Sequence, residues 1–512
     1  MFTDKDIKQI ENNGMKVADI ERQLDYFREG IPNIRLVRPA LVGDGIEVVD
    51  DENEEKLVNS YEALKTGCRP LKFIPASGAA SRMFKDLFEA EAYLRHNEEK
   101  AGLYLEGHPL VRSFFDDLEE YPFYFDLKEK ARGKHLDFDL MIKEKKYHAI
   151  LELLLFEEGL NYGNLPKALL KFHAYGQLSR TAFEEHFAET MDYLSDEDEE
   201  VRLHFTISPE YRQSFEQLAA ELSDVYAEDR GTRINVEFSE QQSDTNTIAV
   251  DLNNEPYRNN DGQLVFRPGG HGALLGNLAK VDSAMVFIGN IDNIAPEESR
   301  LFKVRYKKLL GGFLLDRVKT SHALLDRLEQ GERGDGLRSD VTDFIRQISD
   351  QEAAALGNMT NDAFNSKAYD FLNRPVRVCG MVENVGEPGG GPFWVSDKSG
   401  NVSRQIVERS QVDTGDYQQD EIIRSSTHFN PVDMVCYIND HKGKPFDLFA
   451  FRDPDLGFIT KKSINGKDIK ALELPGLWNG SMAGWITYFL DMPLSTFTPV
   501  KTVFDLLRPE HR

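Results

Sequence analysis

The chain has 512 residues and carries 61 Lys and Arg against 87 Asp and Glu, a formal net charge of −26. Such a field repels phosphate backbones and anionic lipid, so neither nucleic acid nor a membrane surface is expected as a partner. Any anionic substrate then needs a local cluster of cations and backbone N–H groups. Apolar residues make up 40% and charged residues 29%, which excludes a disordered chain.

At roughly 150 residues per domain the length predicts about three units, or one large α/β core with additions. The first residues show no apolar signal core, and no run of 18 apolar residues occurs. Cys68, Cys379 and Cys436 are too scattered for a disulfide framework or a cysteine zinc site. A reduced, cytoplasmic chain is expected.

Residues 1–66 have a charged, helical pattern broken at Gly43-Asp44-Gly45, and the acidic run 50–55 predicts a solvated face. Residues 71–75 predict a short strand and 76–81 a small-residue loop. A helix follows over 82–96, with Met83, Leu87, Ala90 and Leu94 on one side. The segment 97–160 stays helical and charged and reads as an insertion. From 165 the alternation resumes, with a strand at 169–173, a helix at 181–194 and a strand at 201–208. The next helix carries Pro209 and Glu210 in its first turn behind Ser208 as N-cap.

Further strands are expected near 233–238, 246–251 and 264–267, a helix near 272–280 and a buried strand at 284–289. Residues 297–372 read as mainly helical. After Pro375 the pattern turns to β, at 376–382, 393–395, 402–407 and 432–438, with 386–392 a Gly/Pro loop. One more helix is expected at about 480–490. Alternating β and α with short connections argues for an α/β fold with a mostly parallel sheet covered on both faces.

No G-x-x-x-x-G-K-[ST], no G-x-G-x-x-G after a strand, no H-E-x-x-H and no G-x-S-x-G occurs, so the corresponding chemistries lack their motifs. Four other places remain. In the loop Ser77-Gly78-Ala79-Ala80-Ser81 small residues let backbone N–H groups approach phosphate. Arg82 can fork onto two phosphate oxygens, with Lys85 one turn on; a plain tight turn fits the same residues. Gly270-His271-Gly272 offers backbone for a flat ligand and an imidazole donor, or a Gly-rich turn.

Asn290-Ile291-Asp292-Asn293 falls at the carboxyl end of a buried strand, where open α/β sheets place ligands. Asp292, expected as an exposed loop carboxylate, suits Mg²⁺ bridging phosphates, and an Asx turn is the alternative. Finally, Lys167 follows Pro166, and Lys501 stands in Pro499-Val500-Lys501.

In this order the segments resemble the sugar nucleotidyltransferase superfamily, especially its UDP-sugar pyrophosphorylase branch. The carriers are SGAASRM at 77–83, PK at 166–167, PGGHG at 268–272, NIDN at 290–293 and PVKTVFDLL at 499–507, with QIVERS at 405–410 similar to a later strand. The loop departs from the branch's G-G-x-G-T-R, and about 80 residues rather than about ten separate Arg82 from Lys167. The resemblance implies a three-layer Rossmann-like core with a mixed, mostly parallel sheet over 67–475. A helical extension would precede it at 1–66, and a segment at 476–512 would return to the active site after a β-rich extension.

It further implies Mg²⁺-dependent joining of an NTP, UTP favoured, to a sugar-1-phosphate, with release of pyrophosphate. Arg82, Lys167 and Lys501 would be catalytic, and 77–81 and 270–272 would bind nucleotide. Asn290 and Glu408 would bind sugar, and Asp292 and Asn430 the metal. His173 and Tyr175 are further hexose-facing candidates. A nucleotide-sugar-dependent glycosyltransferase and a non-catalytic nucleotide-sugar binder are the alternatives. The sugar and the oligomeric state are not legible.

Overall fold

The computed structural model describes residues 2–195, 200–357, 359–464 and 466–512. They form two compact units between which the chain passes repeatedly. Met1–Phe73, Ser239–Ile288 and Tyr306–Leu494 build the first unit, and Ile74–Phe238, Gly289–Arg305 and Ser495–Arg512 the second.

In the first unit a mixed sheet runs in the order Leu41–Val42, Gly45–Glu47, Ile486–Asp491, Val376–Glu383, Asp433–Tyr437, Met285–Gly289, Leu71–Pro75. Pairing is parallel along the first four strands and between the last two, and antiparallel between Val376–Glu383 and Asp433–Tyr437. Met285–Gly289 is buried at every position, as a strand covered on both faces must be. It lies beside Leu71–Pro75 in register, Val286 opposite Leu71 and Ile288 opposite Phe73. Their carboxyl ends therefore point the same way, and the loops 76–82 and 290–293 leave from that edge.

The core under this sheet gathers Phe73, Val286, Ile288, Cys379, Met434, Cys436 and Phe489. Around it stand a three-stranded sheet, centred on Gly391–Ser396, and a four-stranded sheet containing Phe458–Ile464 and Lys467–Glu473. The region expected to be helical before Pro375 is filled by Glu297–Glu329, Asp335–Arg346, Asp350–Leu356 and Asn361–Leu372, and residue 358 of that region lies outside the described residues.

Several elements differ from expectation. Residues 1–66 are not purely helical: beside Asp4–Asn12, Val17–Glu29 and Asp51–Leu64 they hold Arg35–Pro39, which pairs with Gly391–Ser396, and two strands of the main sheet. The acidic run 50–55 is solvated as expected save for buried Glu54, and it opens a helix in which Asp50 accepts the Asn53 N–H as N-cap. The stretch expected as a helix at 480–490 is the strand Ile486–Asp491. A short apolar run has no periodicity that separates the two states, and its Ile, Thr, Tyr and Phe favour β. The helix near 272–280 shrinks to Leu275–Leu278 behind a 3₁₀ turn, and Gly391 and Pro392 already belong to a strand.

The second unit packs Ala182–Leu194 on Val201–Ile207 through Phe183, whose ring lies 4.4 Å from that of Phe205. Thr181 and Glu184 close this helix with a reciprocal capping box. Ser208 does not cap; its hydroxyl donates to the Ser77 carbonyl, and a 3₁₀ turn precedes Arg212–Arg230. The insertion is helical as expected, in five α-helices from Ala101–Gly107 to Tyr147–Leu155. No helix among the described residues is long and apolar enough to cross a membrane.

Candidate functional site

Two short backbone ladders assemble the site within the second unit. In one, Ala79 bridges to Pro166, the Ala80 N–H donates to the Leu165 carbonyl at 3.0 Å, and the Lys167 N–H donates to the Gly78 carbonyl at 3.0 Å. Lys167 is thereby fixed against the small-residue loop. In the other, Asn293 bridges to Pro499 and the Val500 N–H donates to the Asp292 carbonyl at 2.9 Å. That pairing sets Lys501 beside Asp292.

The side chains complete the assembly. Lys167 Nζ donates to Asp292 Oδ2 at 3.0 Å and to the Val500 carbonyl at 2.9 Å, and Lys501 Nζ donates to the same Oδ2 at 3.2 Å. Burial pushes the Asp292 carboxyl up, but the two ammoniums outweigh it and hold the group below its ordinary value. Two cations share one carboxylate, so the cluster carries a net positive charge inside a chain of net charge −26. Arg82 is exposed, and among the described residues no carboxylate pairs with it; Lys85 lies 3.7 Å from Glu89. Ser77, Gly78, Ala79 and Ser81 are exposed, and Ala80 is buried. Asn290 is half-buried at the strand end, its carbonyl accepting the Asn293 N–H.

Gly270 to Gly272, Glu408 and Asn430 belong to the first unit. His271 stacks on Trp478 with ring centres 4.2 Å apart, and its Nδ1 accepts the Leu477 N–H at 3.1 Å. Burial pushes its pKa down to about 4, so it is a neutral ring with only Nε2–H to donate. Gly270 has φ +74°, which favours glycine, and Gly272 is pressed by the chain segment 473–475: a Cβ there would stand 2.1 Å from the Pro475 carbonyl oxygen. Glu408 is half-buried, its carboxyl pushed up by burial, and it accepts from Asn479 Nδ2 at 3.2 Å.

Asn430 is buried, and both ends of its amide meet backbone. Its Nδ2 donates to the Gly380 carbonyl at 3.0 Å and its Oδ1 accepts the Val432 N–H at 3.1 Å, which makes it a backbone clamp. His173 and Tyr175 do not face a hexose site. His173 is fully buried on Glu185, and Tyr175 donates to the same carboxylate at 2.6 Å.

Residues that motif reading passed over hold the site together. Lys303 Nζ donates to Asn293 Oδ1 at 2.9 Å and to Thr498 Oγ1 at 3.3 Å, and the Thr498 N–H donates to Asn293 Oδ1 at 3.0 Å. His186 Nε2–H donates to the Ile291 carbonyl at 3.1 Å from the helix Ala182–Leu194. The one available signal was Asn293 itself, quoted in the NIDN segment; nothing local marks Lys303 or Thr498.

Among solved structures, the uridine diphosphate N-acetylglucosamine pyrophosphorylase of Trypanosoma brucei is similar over 96% of this chain and 74% of its own. The identity is 13% and the TM-score 0.48. The UDP-glucose pyrophosphorylase of Leishmania major is similar over 98% and 77%, at 12% identity and a TM-score of 0.43. A UDP-glucose phosphorylase of Trypanosoma brucei gives the same coverage, identity and TM-score. No curated protein matches the chain. Residues 3–512 match the model of the family described as a domain of unknown function, DUF4301, and the chain belongs to that family.

Proposed function

We propose that this protein is a nucleotidyltransferase that joins an NTP to a sugar-1-phosphate and releases pyrophosphate. The observation that carries the reading is the meeting of Lys167 and Lys501 on Asp292 beside the 77–82 loop. Two ammoniums on one carboxylate leave a local surplus of positive charge in an acidic chain, and a phosphate-binding site needs that surplus.

The reaction needs no general base. A sugar-1-phosphate oxygen is already ionised at neutral pH; it bonds to the α-phosphorus in line as the α–β bridging bond breaks, and pyrophosphate carries the electron pair away. Lys167 and Lys501 neutralise the charge that grows on the leaving group, and Arg82 with the exposed loop holds the distal phosphates. Asp292 fits a Mg²⁺ held chiefly by substrate phosphates, because that ion takes one or two carboxylates and fills its shell with phosphate and water. Bound there, the ion would supply further charge neutralisation. Resemblance to the UDP-sugar branch favours UTP, and three free cysteines favour a cytoplasmic, reducing setting.

Pyrophosphate release from a matrix of NTPs and sugar-1-phosphates tests the reading. One productive pair is expected, with UTP preferred and turnover lost in excess chelator. Lys167→Ala and Lys501→Ala should each lower kcat by about 10²–10³-fold, the scale of removing one preorganised donor. Release of sugar or of nucleoside diphosphate from a nucleotide sugar, without pyrophosphate formation from any pair, would replace this reading with a glycosyltransferase.

A further inference from the structure

Lys501 sits on Asp292 although 46% of its side chain is exposed, and a long exposed side chain holds one rotamer only if its backbone is fixed. The fixing network is continuous along the segment 495–512. Asp505, buried, accepts the N–H groups of Lys501 and Thr502 on one oxygen at 2.8 and 2.6 Å, and its other oxygen meets the Arg508 guanidinium at 2.7 Å. The Arg508 N–H donates to the Asp505 carbonyl at 3.0 Å, and the His511 N–H to the Arg508 carbonyl at 2.9 Å.

His511 then closes the network inside the unit. Its ring stacks on His173 with centres 5.2 Å apart, and its Nδ1 lies 2.9 Å from His173 Nε2. His173 Nδ1 lies 3.1 Å from Glu185 Oε1. The tautomer that puts the His173 Nδ1–H on Glu185 leaves Nε2 to accept the Nδ1–H of His511. Glu185 and His173 are fully buried and His511 nearly so, and burial pushes the His511 pKa down to about 3. A Leu or Phe would plug this hole at less desolvation cost. Directional hydrogen bonds to a buried pair add what an apolar plug lacks, a single depth and rotation for the segment that carries them.

We propose that His511 is a positioning residue: docked on the His173–Glu185 pair, it fixes the segment 495–512 so that the Lys501 ammonium stays on Asp292. Its kinetic consequence rests on the nucleotidyltransfer reading; the positioning itself does not. The test is lysine-by-lysine labelling of the full chain with an amine-reactive acetylating reagent, read by mass spectrometry, in wild type, His511→Ala, His511→Gln and His511→Asn. The Asn amide stands where Nδ1 does and reaches His173; the Gln amide stands where Nε2 does and fills the volume without reaching it.

Lys501 is expected to label at least threefold faster than in wild type in the Ala and Gln variants and at the wild-type rate in Asn, with exposed Lys85 unchanged in all. If Ala does not fold, the Gln–Asn contrast carries the test alone. For the productive substrate pair kcat should fall about tenfold in Gln at unchanged KM, with Asn restoring it. Wild-type labelling of Lys501 in folded Gln protein overturns the proposal, because a merely stabilising histidine leaves Lys501 where it was. Faster labelling in a protein that turns over no substrate pair upholds the positioning and removes the pyrophosphorylase reading instead.

Discussion

Asp292 is held by opposing effects. Burial disfavours its charge, and Lys167 and Lys501 restore it, leaving the carboxyl below its ordinary value. Its place in a loop after a strand predicts an exposed carboxylate, and the fold buries it. With the residue 9% exposed and two ammoniums on one oxygen, Asp292→Ala should both end turnover and destabilise the protein. Breaking a buried pair costs about 3–5 kcal/mol, and the half-exposed Lys501 can turn to water, so a loss of about 2–3 kcal/mol is expected. Urea denaturation at pH 7 measures it, and a wild-type midpoint would show that the carboxylate is not engaged in solution. The residue types of this site were legible because Arg, Lys and Asp carry their chemistry in the sequence. Lys303 and Thr498 were not: their contacts cross 195 positions, and a lysine in a long helix reads as surface until a fold buries it.

Glycine meant different things in two elements that sequence reading treated alike. Gly272 is pressed against the Pro475 carbonyl, whereas a Cβ on Gly78 would meet nothing within 4 Å. Gly272→Ala is therefore expected to lower stability by about 2–3 kcal/mol through overpacking, and Gly78→Ala to leave the urea midpoint unchanged. Equal midpoints for the two variants would refute the distinction. The loop's departure from an all-glycine pattern has the same explanation: Ala79 has φ −65°, where a Cβ costs nothing, so only the approach of a ligand could have required glycine there. Leu71–Pro75, Val201–Ile207 and Met285–Gly289 were legible as buried apolar runs between turn residues, whereas the strand Leu178–Thr181, exposed or half-buried over most of its length, was not. Nor was the strand Ile486–Asp491, because so short a run, apolar at Ile486, Tyr488, Phe489 and Leu490, fits a buried helix equally well.

At the scale of the whole chain, the expected site residues divide between two units, each made of three separate stretches, and contiguous sequence gives no sign of such a division. Arg82, Lys167, Asn290, Asp292 and Lys501 fall in one; Gly270 to Gly272, Glu408 and Asn430 fall in the other. Three histidines, half-buried His271 and His322 in the first unit and buried His511 in the second, set a common acid response. Burial pushes His271 and His322 down to about 4 and His511 to about 3, from an ordinary 6.5. Between those values and 6.5 the unfolded chain binds protons that the folded chain refuses. Their stabilising contribution is thus whole above pH 6.5 and falls steadily as the pH drops toward 4. The opposite effect, relief of repulsion within a chain of net charge −26, gains little in that window because most carboxylates titrate below it. Asp292, its pKa lowered from 3.8, adds a loss only below that value. The urea midpoint should therefore fall between pH 7 and pH 5, by up to about 1.4 kcal/mol per histidine for each pH unit below 6.5. His271→Asn keeps an acceptor for the Leu477 N–H and binds no proton, so it should show a visibly smaller drop. If the variant and the wild type lose the same stability over that range, His271 is not held as a neutral ring against Trp478.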